Sequence, residues 1–380
     1  MRRPRTPLAA RRRARGLSQE TLAERLGVDR STVARWEDAR TVPQPGFRPG
    51  LAAALGWSAD ELHAALTEPG PAVPTASGTE DPVPPEGEAG LLDLHDRLYA
   101  LARRYDTVPS ARLLAPVAAC HREASALART LRDPALLPRA RTALAEAAIL
   151  LGRVVWDASA RTEHTTALAH FDRAAAIARA AGDPVAETHA LLRTSYVALY
   201  GRHDPAAGAV LARRAVASAR HSPSLRALGL LHVAEAHATL GAARDCEATL
   251  DAAHGLLADF DVDDVGRFLL GPVPGPRLAA VCHLRLGHPA RARALLEGAA
   301  DLPTTKTTTL LLGTLARAHA REGHLDAAVA TLHRALSQLD GHRGAAGLQA
   351  VLGAVRDLDR WPTDPAVATL RDHLATLRAA

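Results

Sequence analysis

The chain alternates helix-length stretches of patterned apolar residues with short polar breaks. Between residues 17 and 37 two such stretches follow each other closely, and Leu22 and Val33 are spaced to face one core. Ser18 stands where the first stretch begins and is a favourable N-cap residue, and Gly27 permits a tight turn before the second stretch. The pattern predicts two short amphipathic helices joined by a turn.

The second predicted helix begins with small polar and basic side chains. Arg30, Ser31 and Thr32 fall in its first turn, and Arg35 lies one turn later on the same face. Trp36, by contrast, is expected to pack in the core. Two short helices in this order, with a polar and basic start to the second, are the build of a helix-turn-helix. That motif lays its second helix in the major groove of DNA.

The stretch 67–90 interrupts the pattern, because it contains six Pro and four Gly among acidic residues. Such a composition cannot build a core and predicts a flexible or partly polyproline-II linker. It separates an N-terminal unit, residues 1–66, from a predicted helical hairpin at 91–137 and from a long helical region at 138–380.

The long helical region contains a repeated pattern. Three times an Ala is followed by a His three residues later and by a Gly four residues after that, and a Leu and an Ala follow each Gly at fixed spacing. Helix pairs of this kind cannot bury their apolar faces alone, so they are expected to stack into a superhelix with a concave surface. The three sets are Ala234, His237, Gly241, Leu250 and Ala253; Ala280, His283, Gly287, Leu296 and Ala299; and Ala316, His319, Gly323, Leu332 and Ala335.

The composition favours helices throughout. Hydrophobic residues make up 47% of the chain and aromatic residues only 3%. Ala, Leu and Arg dominate, a mixture that favours helices and disfavours a large β-sheet. The expected fold is therefore all-α, with a five-helix helix-turn-helix unit, a linker, and an α-solenoid of helical hairpins that ends in a helical cap.

Positive charge is concentrated at the N-terminus. The net charge of the chain is +5, and residues 1–66 carry 12 arginines against 7 acidic residues. A dense arginine cluster on a small unit is expected of a protein that binds the DNA phosphate backbone, and a solvated charged face is the alternative. For the leading arginines, which include Arg11, Arg12 and Arg13, two interpretations stay open: an arm that reaches a DNA groove, or a solubilising tail.

From Arg11 to Leu66 the sequence resembles the Cro/repressor-type (Xre) helix-turn-helix family, whose fourth helix is matched by residues 47–56. The resemblance implies that a homodimer binds double-stranded DNA at an inverted-repeat operator. It also implies that the first turn of the recognition helix reads base edges, whereas the start of the preceding helix and the following loop contact phosphates. The matching positions are Arg30, Ser31, Thr32 and Arg35 for the bases and Gln19, Arg40 and Thr41 for the phosphates.

Residues 138–340 resemble the tetratricopeptide repeat, in which small residues lie at helix contacts. The whole arrangement resembles actinobacterial regulators that join such a DNA reader to repeats, and also the peptide-sensing regulators of other bacteria. The resemblance implies that the repeats bind a peptide or small-molecule signal. By repeat register, the residues expected in this ligand groove are Trp156, Arg193, Tyr200, Glu235, Arg277 and Arg317. A solvated groove with internal ion pairs is the alternative.

The sequence gives little support to an enzyme or a metalloprotein. It has no HExxH, GxSxG or GxxxxGK motif, and the single lysine, Lys306, lacks the glycines of a phosphate-binding loop, so we expect neither catalysis nor a cofactor. The repeated histidines are separated by helices packed about 8–10 Å apart. Because Zn–N bonds are about 2.0–2.1 Å long, no metal is expected. The three cysteines form no CxxC pair and are expected to be reduced core thiols.

Two further features concern localisation. No run of about 18 apolar residues predicts a membrane span, and the basic N-terminus lacks the apolar segment of a secretory signal. A cytoplasmic, nucleoid-associated protein is therefore expected. The leading hypothesis is a sequence-specific DNA-binding transcriptional regulator whose repeats dimerise, sense a signal, or both. The alternative is an adaptor that binds a partner protein through the repeats, with the helix-turn-helix as a tether or a vestige.

Overall fold

The computed structural model describes residues 7–15, 17–26, 28, 30–37, 43, 48–57, 61–62, 87–220, 222–258, 264, 274–298, 303–342 and 344–379. Every regular element in these ranges is helical, which confirms the predicted all-α fold. The chain divides into two compact units, Met1–Asp81 and Pro82–Ala380. Within the described ranges, no helix is both long enough and apolar enough to cross a membrane.

Four described helices form the N-terminal unit. They are α1 (Pro7–Ala14), α2 (Gln19–Leu26), α3 (Arg30–Glu37) and α4 (Arg48–Leu55). Leu22, Val33 and Trp36 pack in one core, as their spacing predicts. The backbone N–H of Thr21 donates to Ser18 Oγ at 3.0 Å, which confirms Ser18 as the cap of α2. Of the predicted fifth helix, residues 61–62 are helical, and residues 58–60 lie outside the described residues.

The second unit begins with a helical hairpin, α5 (Glu88–Arg104) and α6 (Leu114–Thr130). The start of α5 at Glu88 makes the last three residues of the stretch predicted as a linker helical. Gly87, with φ of 72°, supplies the turn into the helix. Glu88 lies in the first turn, where the partial positive charge of the helix end favours an acid. The same residue types therefore fit both a linker and the start of a helix.

The described helices that follow form consecutive pairs. These are α7 (Leu137–Ala158) with α8 (His164–Ala181), α9 (Pro184–Tyr196) with α10 (Pro205–Ser218), α11 (Pro223–Thr239) with α12 (Ala243–Ala258), α13 (Pro274–Arg285) with α14 (Pro289–Leu296), α15 (Lys306–Glu322) with α16 (Leu325–His342), and α17 (Ala345–Asp357) with α18 (Pro365–Ala379). Three of these helices, α9, α10 and α11, start on Pro after a side chain that caps the helix, namely Asp183, Asp204 and Ser222. One π-helical turn, Val197–Gly201, extends α9.

The repeated sequence pattern marks helix contacts and turns. The small and large apolar residues of the pattern are at most 4% exposed at Ala234, Ala280, Ala316, Leu250, Leu296 and Leu332. The glycines adopt left-handed backbone angles that end each first helix, with φ of 76° at Gly241, 82° at Gly287 and 86° at Gly323. Ala299 lies outside the described residues.

The first helices of the pairs lie side by side, for example α11 against α13 and α15 against α17. Gly313 permits the close approach of α15 to α17, since a Cβ at this position would lie 2.7 Å from the Cβ of Ala350. The last pair also meets the first pair, because α17 contacts α7. The solenoid therefore closes on itself.

A buried polar cluster holds this closure. The carboxylate of Asp157, near the end of α7, accepts hydrogen bonds from Ser110 Oγ at 2.6 Å, from Lys306 Nζ at 2.9 Å and from the backbone N–H of Ala345 at 2.8 Å. Lys306 begins α15 and Ala345 begins α17. Gly344 offers no side chain to cap α17, and Asp157 supplies that acceptor from another helix. We call Ser110, Asp157, Lys306 and Ala345 the clasp.

Loss of the lysine from the clasp is expected to destabilise the repeat unit. Lys306→Met removes the cation from a buried carboxylate, and breaking such a pair costs about 3–5 kcal/mol. The two side chains are only 6% and 5% exposed, so water cannot readily replace the missing partner. Urea unfolding of the full chain, followed by far-UV circular dichroism, measures the change in the free energy of unfolding.

Arg214→Met, at an exposed position of α10, is the matched control for the loss of one cation. It is expected to change the free energy of unfolding by less than about 0.5 kcal/mol. Equal effects of the two substitutions would contradict the role assigned to the clasp.

Candidate nucleic-acid interface and ligand groove

A buried carboxylate on α3 fixes this helix to the two helices before it. Arg12 of α1 binds Glu37 in a bidentate manner, with Nε–Oε1 at 2.5 Å and Nη2–Oε2 at 3.0 Å. Gln19 of α2 donates from Nε2 to the same Oε2 at 2.9 Å. The side chains of Arg12 and Glu37 are 7% and 4% exposed. This shielded pair sets the direction of α3 relative to α1 and α2.

Two arginines near the N-terminus bind the end of α4. Arg11 donates from Nε to the Leu55 carbonyl at 3.1 Å and from Nη2 to the Gly56 carbonyl at 2.9 Å, and Arg15 donates to the Leu55 carbonyl at 3.0 Å. They satisfy carbonyls that a helix leaves unpaired at its C-terminus. For Arg11 and Arg12, both interpretations given above, a groove-reaching arm and a solubilising tail, are therefore wrong.

Arg30, the first residue of α3, has an exposed side chain. Arg30 Nε lies 2.8 Å from Glu20 Oε1, and the two side chains are 65% and 57% exposed. A pair this exposed contributes little to stability, so an incoming anion can replace Glu20 at little cost. Ser31, Thr32 and Arg35 follow on the same helix. Arg40 and Thr41 lie outside the described residues.

Several arginines of the second unit lie over aromatic rings, and three of them influence one another's charge. The pairs, with distances from guanidinium carbon to ring centre, are Arg153 over Tyr105 at 4.1 Å, Arg161 over Trp156 at 4.6 Å and Arg193 over Tyr196 at 5.0 Å. We call these six residues the wall. A ring face attracts a cation without carrying a charge that would neutralise it. Burial and the nearby charge of Arg153 lower the pKa of Arg193 to about 10, and burial also lowers the pKa of Arg161.

A strained turn places one of these arginines. Ala160 and Arg161, directly after α7, have φ of 53° and 67°. Left-handed backbone costs roughly 1–2 kcal/mol for each residue that is not glycine. The turn brings the guanidinium of Arg161 back over Trp156 and within 5.6 Å of the ring centre of Tyr200. The position of the Arg161 side chain therefore depends on a strained backbone conformation.

A buried carboxylate on α11 adjoins the wall. Glu235 is 2% exposed, accepts from the Tyr200 hydroxyl at 2.5 Å, and lies 3.4 Å from Arg285 Nη2. Burial disfavours its ionisation, but the neighbouring imidazole of His232 and the charge of Arg285 outweigh burial and lower the pKa of Glu235 to about 2. Burial raises the pKa of Tyr200 well above its usual value. At neutral pH Tyr200 therefore donates its proton to a charged Glu235.

This donation assigns the tautomer of His232, whose Nδ1 lies 2.9 Å from the Tyr200 oxygen. Since the hydroxyl proton points at Glu235, the Tyr200 oxygen accepts, and His232 Nδ1 carries the hydrogen. Burial lowers the pKa of His232, which favours this neutral form.

The structure brings four of the six predicted groove residues into one chain of contacts. Trp156 and Tyr200 share Arg161, and Tyr200 binds Glu235. Arg193 joins them through Tyr196, whose ring centre lies 4.2 Å from that of His232.

The other two predicted groove residues lie on later pairs. Arg277, on α13, is half-buried, and its charge opposes the rise in the pKa of Tyr200. Arg317, on α15, donates from Nε to Asp357 at 2.9 Å. Arg317 therefore has the internal ion pair that the alternative interpretation expects.

Sequence reasoning missed several members of the wall. Arg153 lies three residues before Trp156 on the same helix, so helical spacing could have revealed it. Arg161 lies in a loop, where periodicity carries no information. Tyr105 precedes the repeats, in the connection between α5 and α6.

Acidification is expected to destabilise the repeat unit through Glu235. Its pKa is about 2 in the folded chain against 4.5 for a free carboxyl, so its stabilising contribution is full above about pH 5 and is lost as the pH falls through the folded value. Between pH 6 and pH 3 the expected loss from this group is about 2 kcal/mol. Urea unfolding at the two pH values measures it.

Glu235→Gln is expected to reduce this acid-dependent loss by about the same amount. Glu247→Gln, at an exposed position of α12, is the control and should lose stability as the native chain does. An undiminished acid-dependent loss in Glu235→Gln would show that another group is responsible.

Comparison with known proteins adds a family for the N-terminal unit. No curated protein matches the chain. A Rap protein complexed with competence and sporulation factor aligns with 76% of this chain and 98% of its own, with a TM-score of 0.44 at 10% identity. PlcR of Bacillus thuringiensis in complex with the peptide PapR7 and DNA aligns with 84% and 98%, with a TM-score of 0.36 at 12% identity. These scores are too low to bear on function. Residues 6–66 match the helix-turn-helix domain family, and this part of the chain is therefore a helix-turn-helix domain.

Proposed function

We propose that this chain is a sequence-specific, DNA-binding transcriptional regulator whose repeat unit binds a peptide or small-molecule signal. The observation that carries the proposal is the helix-turn-helix domain at residues 6–66, in which α3 begins with the exposed Arg30. The proposal gives the chain a binding role on DNA of the nucleoid, in the cytoplasm.

The recognition helix of this proposal is α3. Glu37 attaches α3 to α1 and α2. Phosphate contacts made by α2 would therefore also determine which bases the side chains of α3 reach. Gln19 is suited to such a contact, because its amide nitrogen carries two protons and Glu37 uses one of them. The remaining assignments are Arg30, Ser31, Thr32 and Arg35 for base edges and Arg40 and Thr41 for phosphates.

The binding species is proposed to be a homodimer on an inverted repeat. Two copies of α3 would then enter successive major grooves, with half-sites about 34–36 Å apart. Two helix-turn-helix domains make twice as many phosphate contacts as one, so the binding affinity should fall more steeply as the salt concentration rises.

The wall supports the signal-binding part of the proposal. Its guanidinium groups stack on aromatic rings, and a ring does not use up the N–H donors as a carboxylate would. The guanidinium groups can therefore donate to a ligand, and the rings provide apolar surface beside them. The strained turn at Ala160 and Arg161 also supports a binding site here, since strained backbone is found most often at functional sites. A ligand acts on the regulator only through unequal affinity for two conformations.

Arg30→Ala combined with Arg35→Ala is expected to abolish sequence preference on DNA. Each bidentate contact to guanine supplies about 1–3 kcal/mol of discrimination, whereas weak, salt-sensitive phosphate binding should remain. Fluorescence anisotropy with genomic fragments recovered by the native protein, compared with scrambled DNA at several salt concentrations, measures both terms.

Arg25→Ala removes one charge from the exposed end of α2 and serves as the control within the same unit. It should lower affinity for both DNAs equally. Arg30→Lys keeps the charge but loses the planar fork, so it should retain phosphate affinity and lose preference. Failure of the native chain to retain any genomic fragment would contradict the proposal and favour the adaptor alternative.

A further inference from the structure

A pocket lies where α11, α13 and α15 face one another. Its volume is about 290 Å³, close to the lower end of the range for small-molecule sites. Three arginines line it, Arg285 from α13 and Arg317 and Arg321 from α15. We call this the arginine pocket. Its size suits a small anion or one anionic group of a larger ligand.

The charges around the arginine pocket do not balance. Arg317 and Arg321 share a single carboxylate, with their Nε atoms 2.9 Å and 3.3 Å from Asp357 Oδ2. Arg285 has only the longer contact of 3.4 Å to Glu235, which already accepts the proton of Tyr200. Three guanidinium groups thus meet two carboxylates, and one positive charge is left over.

The charged groups that line the pocket are all hydrogen-bond donors. Asp357 accepts from the Nε of Arg317 and of Arg321 and so orients their Nη ends away from itself, and Nη1 of Arg321 donates to the Leu284 carbonyl at 2.7 Å. The hydroxyl groups of Thr239 and Thr314, which also line the pocket, donate to backbone carbonyls of their own helices. The guanidinium groups are therefore the hydrogen-bond donors available to a ligand in the pocket, and their geometry fits carboxylate and phosphate oxygens.

We propose that the arginine pocket binds an oxyanion, the carboxylate or phosphate of a small ligand, between the Nη groups of Arg285, Arg317 and Arg321. Asp357 is a positioning residue, because it orients two of the three guanidinium groups. The proposal deepens the signal-binding part of the proposed function and names the chemistry of the signal. Glu235 links Arg285 of the pocket to Tyr200, whose ring centre lies 5.6 Å from the guanidinium of Arg161 in the wall.

Isothermal titration calorimetry on the full chain without DNA tests this site. The probes are inorganic phosphate, alanyl-leucine with a free carboxylate, and the same dipeptide amidated. Saturable binding of phosphate or of the free acid with a dissociation constant of about 1 mM or tighter is expected, and the amide should fail. Preference for phosphate or for the free acid identifies the source of the oxyanion. No saturable binding of either, or equal binding of the amide, would overturn the proposal.

Arg317→Gln should weaken binding at least about tenfold, because it removes charged hydrogen bonds. Arg317→Lys keeps the cation and loses the fork, so it should weaken binding less, and it keeps the test decisive if the glutamine variant fails to fold. Arg213→Gln, at an exposed position of α10, is the matched control and should bind as the native chain does. Unchanged affinity in both Arg317 variants would overturn the site.

Because no DNA is present, failure of this titration is separate from failure of DNA binding. If the chain binds DNA but no oxyanion, the proposed regulator stands and the proposed arginine pocket is wrong. If the chain binds the oxyanion but no DNA, the arginine pocket stands and the proposed regulator is wrong.

Discussion

The repeat unit depends on the carboxylate of Asp157. In a solenoid each repeat contacts only its neighbours, so small rotations between pairs add up and nothing in the stack fixes the first pair relative to the last. Here one buried carboxylate binds a hydroxyl from the loop before α6, the ammonium group that begins α15 and the N-terminal N–H of α17. The curvature of the stack is thereby set by a polar contact as well as by apolar packing.

The clasp and the wall share a ring. Tyr105 has Arg153 at 4.1 Å and Lys306 at 4.4 Å from its ring centre. A displacement of Arg153 by a ligand therefore reaches a residue that also supports the closure of the solenoid. Through this contact, a ligand bound at the wall can favour one curvature of the helical stack over another. A signal that acts at a distance requires such a difference between two conformations.

Local sequence pattern predicted the helices, the cap at Ser18, the glycine turns of the repeats and the core of the helix-turn-helix domain. Each of these follows from neighbours within a few residues. The polar contacts that matter most were not predicted, because their partners are far apart in the chain. Lys306 attracted notice as the single lysine, yet nothing near it in sequence points to Asp157, 149 residues away. The bond between Gln19 and Glu37 likewise joins two residues that are 18 positions apart, on α2 and α3.

Glu235 makes the wall and the arginine pocket thermodynamically dependent on each other. Its ionised form is favoured by His232, by Arg285 and by Tyr200. An oxyanion that draws Arg285 toward the pocket removes one of these and raises the cost of the buried charge on Glu235. The hydrogen bond from Tyr200, whose oxygen in turn accepts from His232, is then the short contact that still stabilises this charge. By linkage, a ligand at the wall that strengthens the bond between Tyr200 and Glu235 would lower the cost of releasing Arg285 to an oxyanion, and the two sites would then favour each other's occupation.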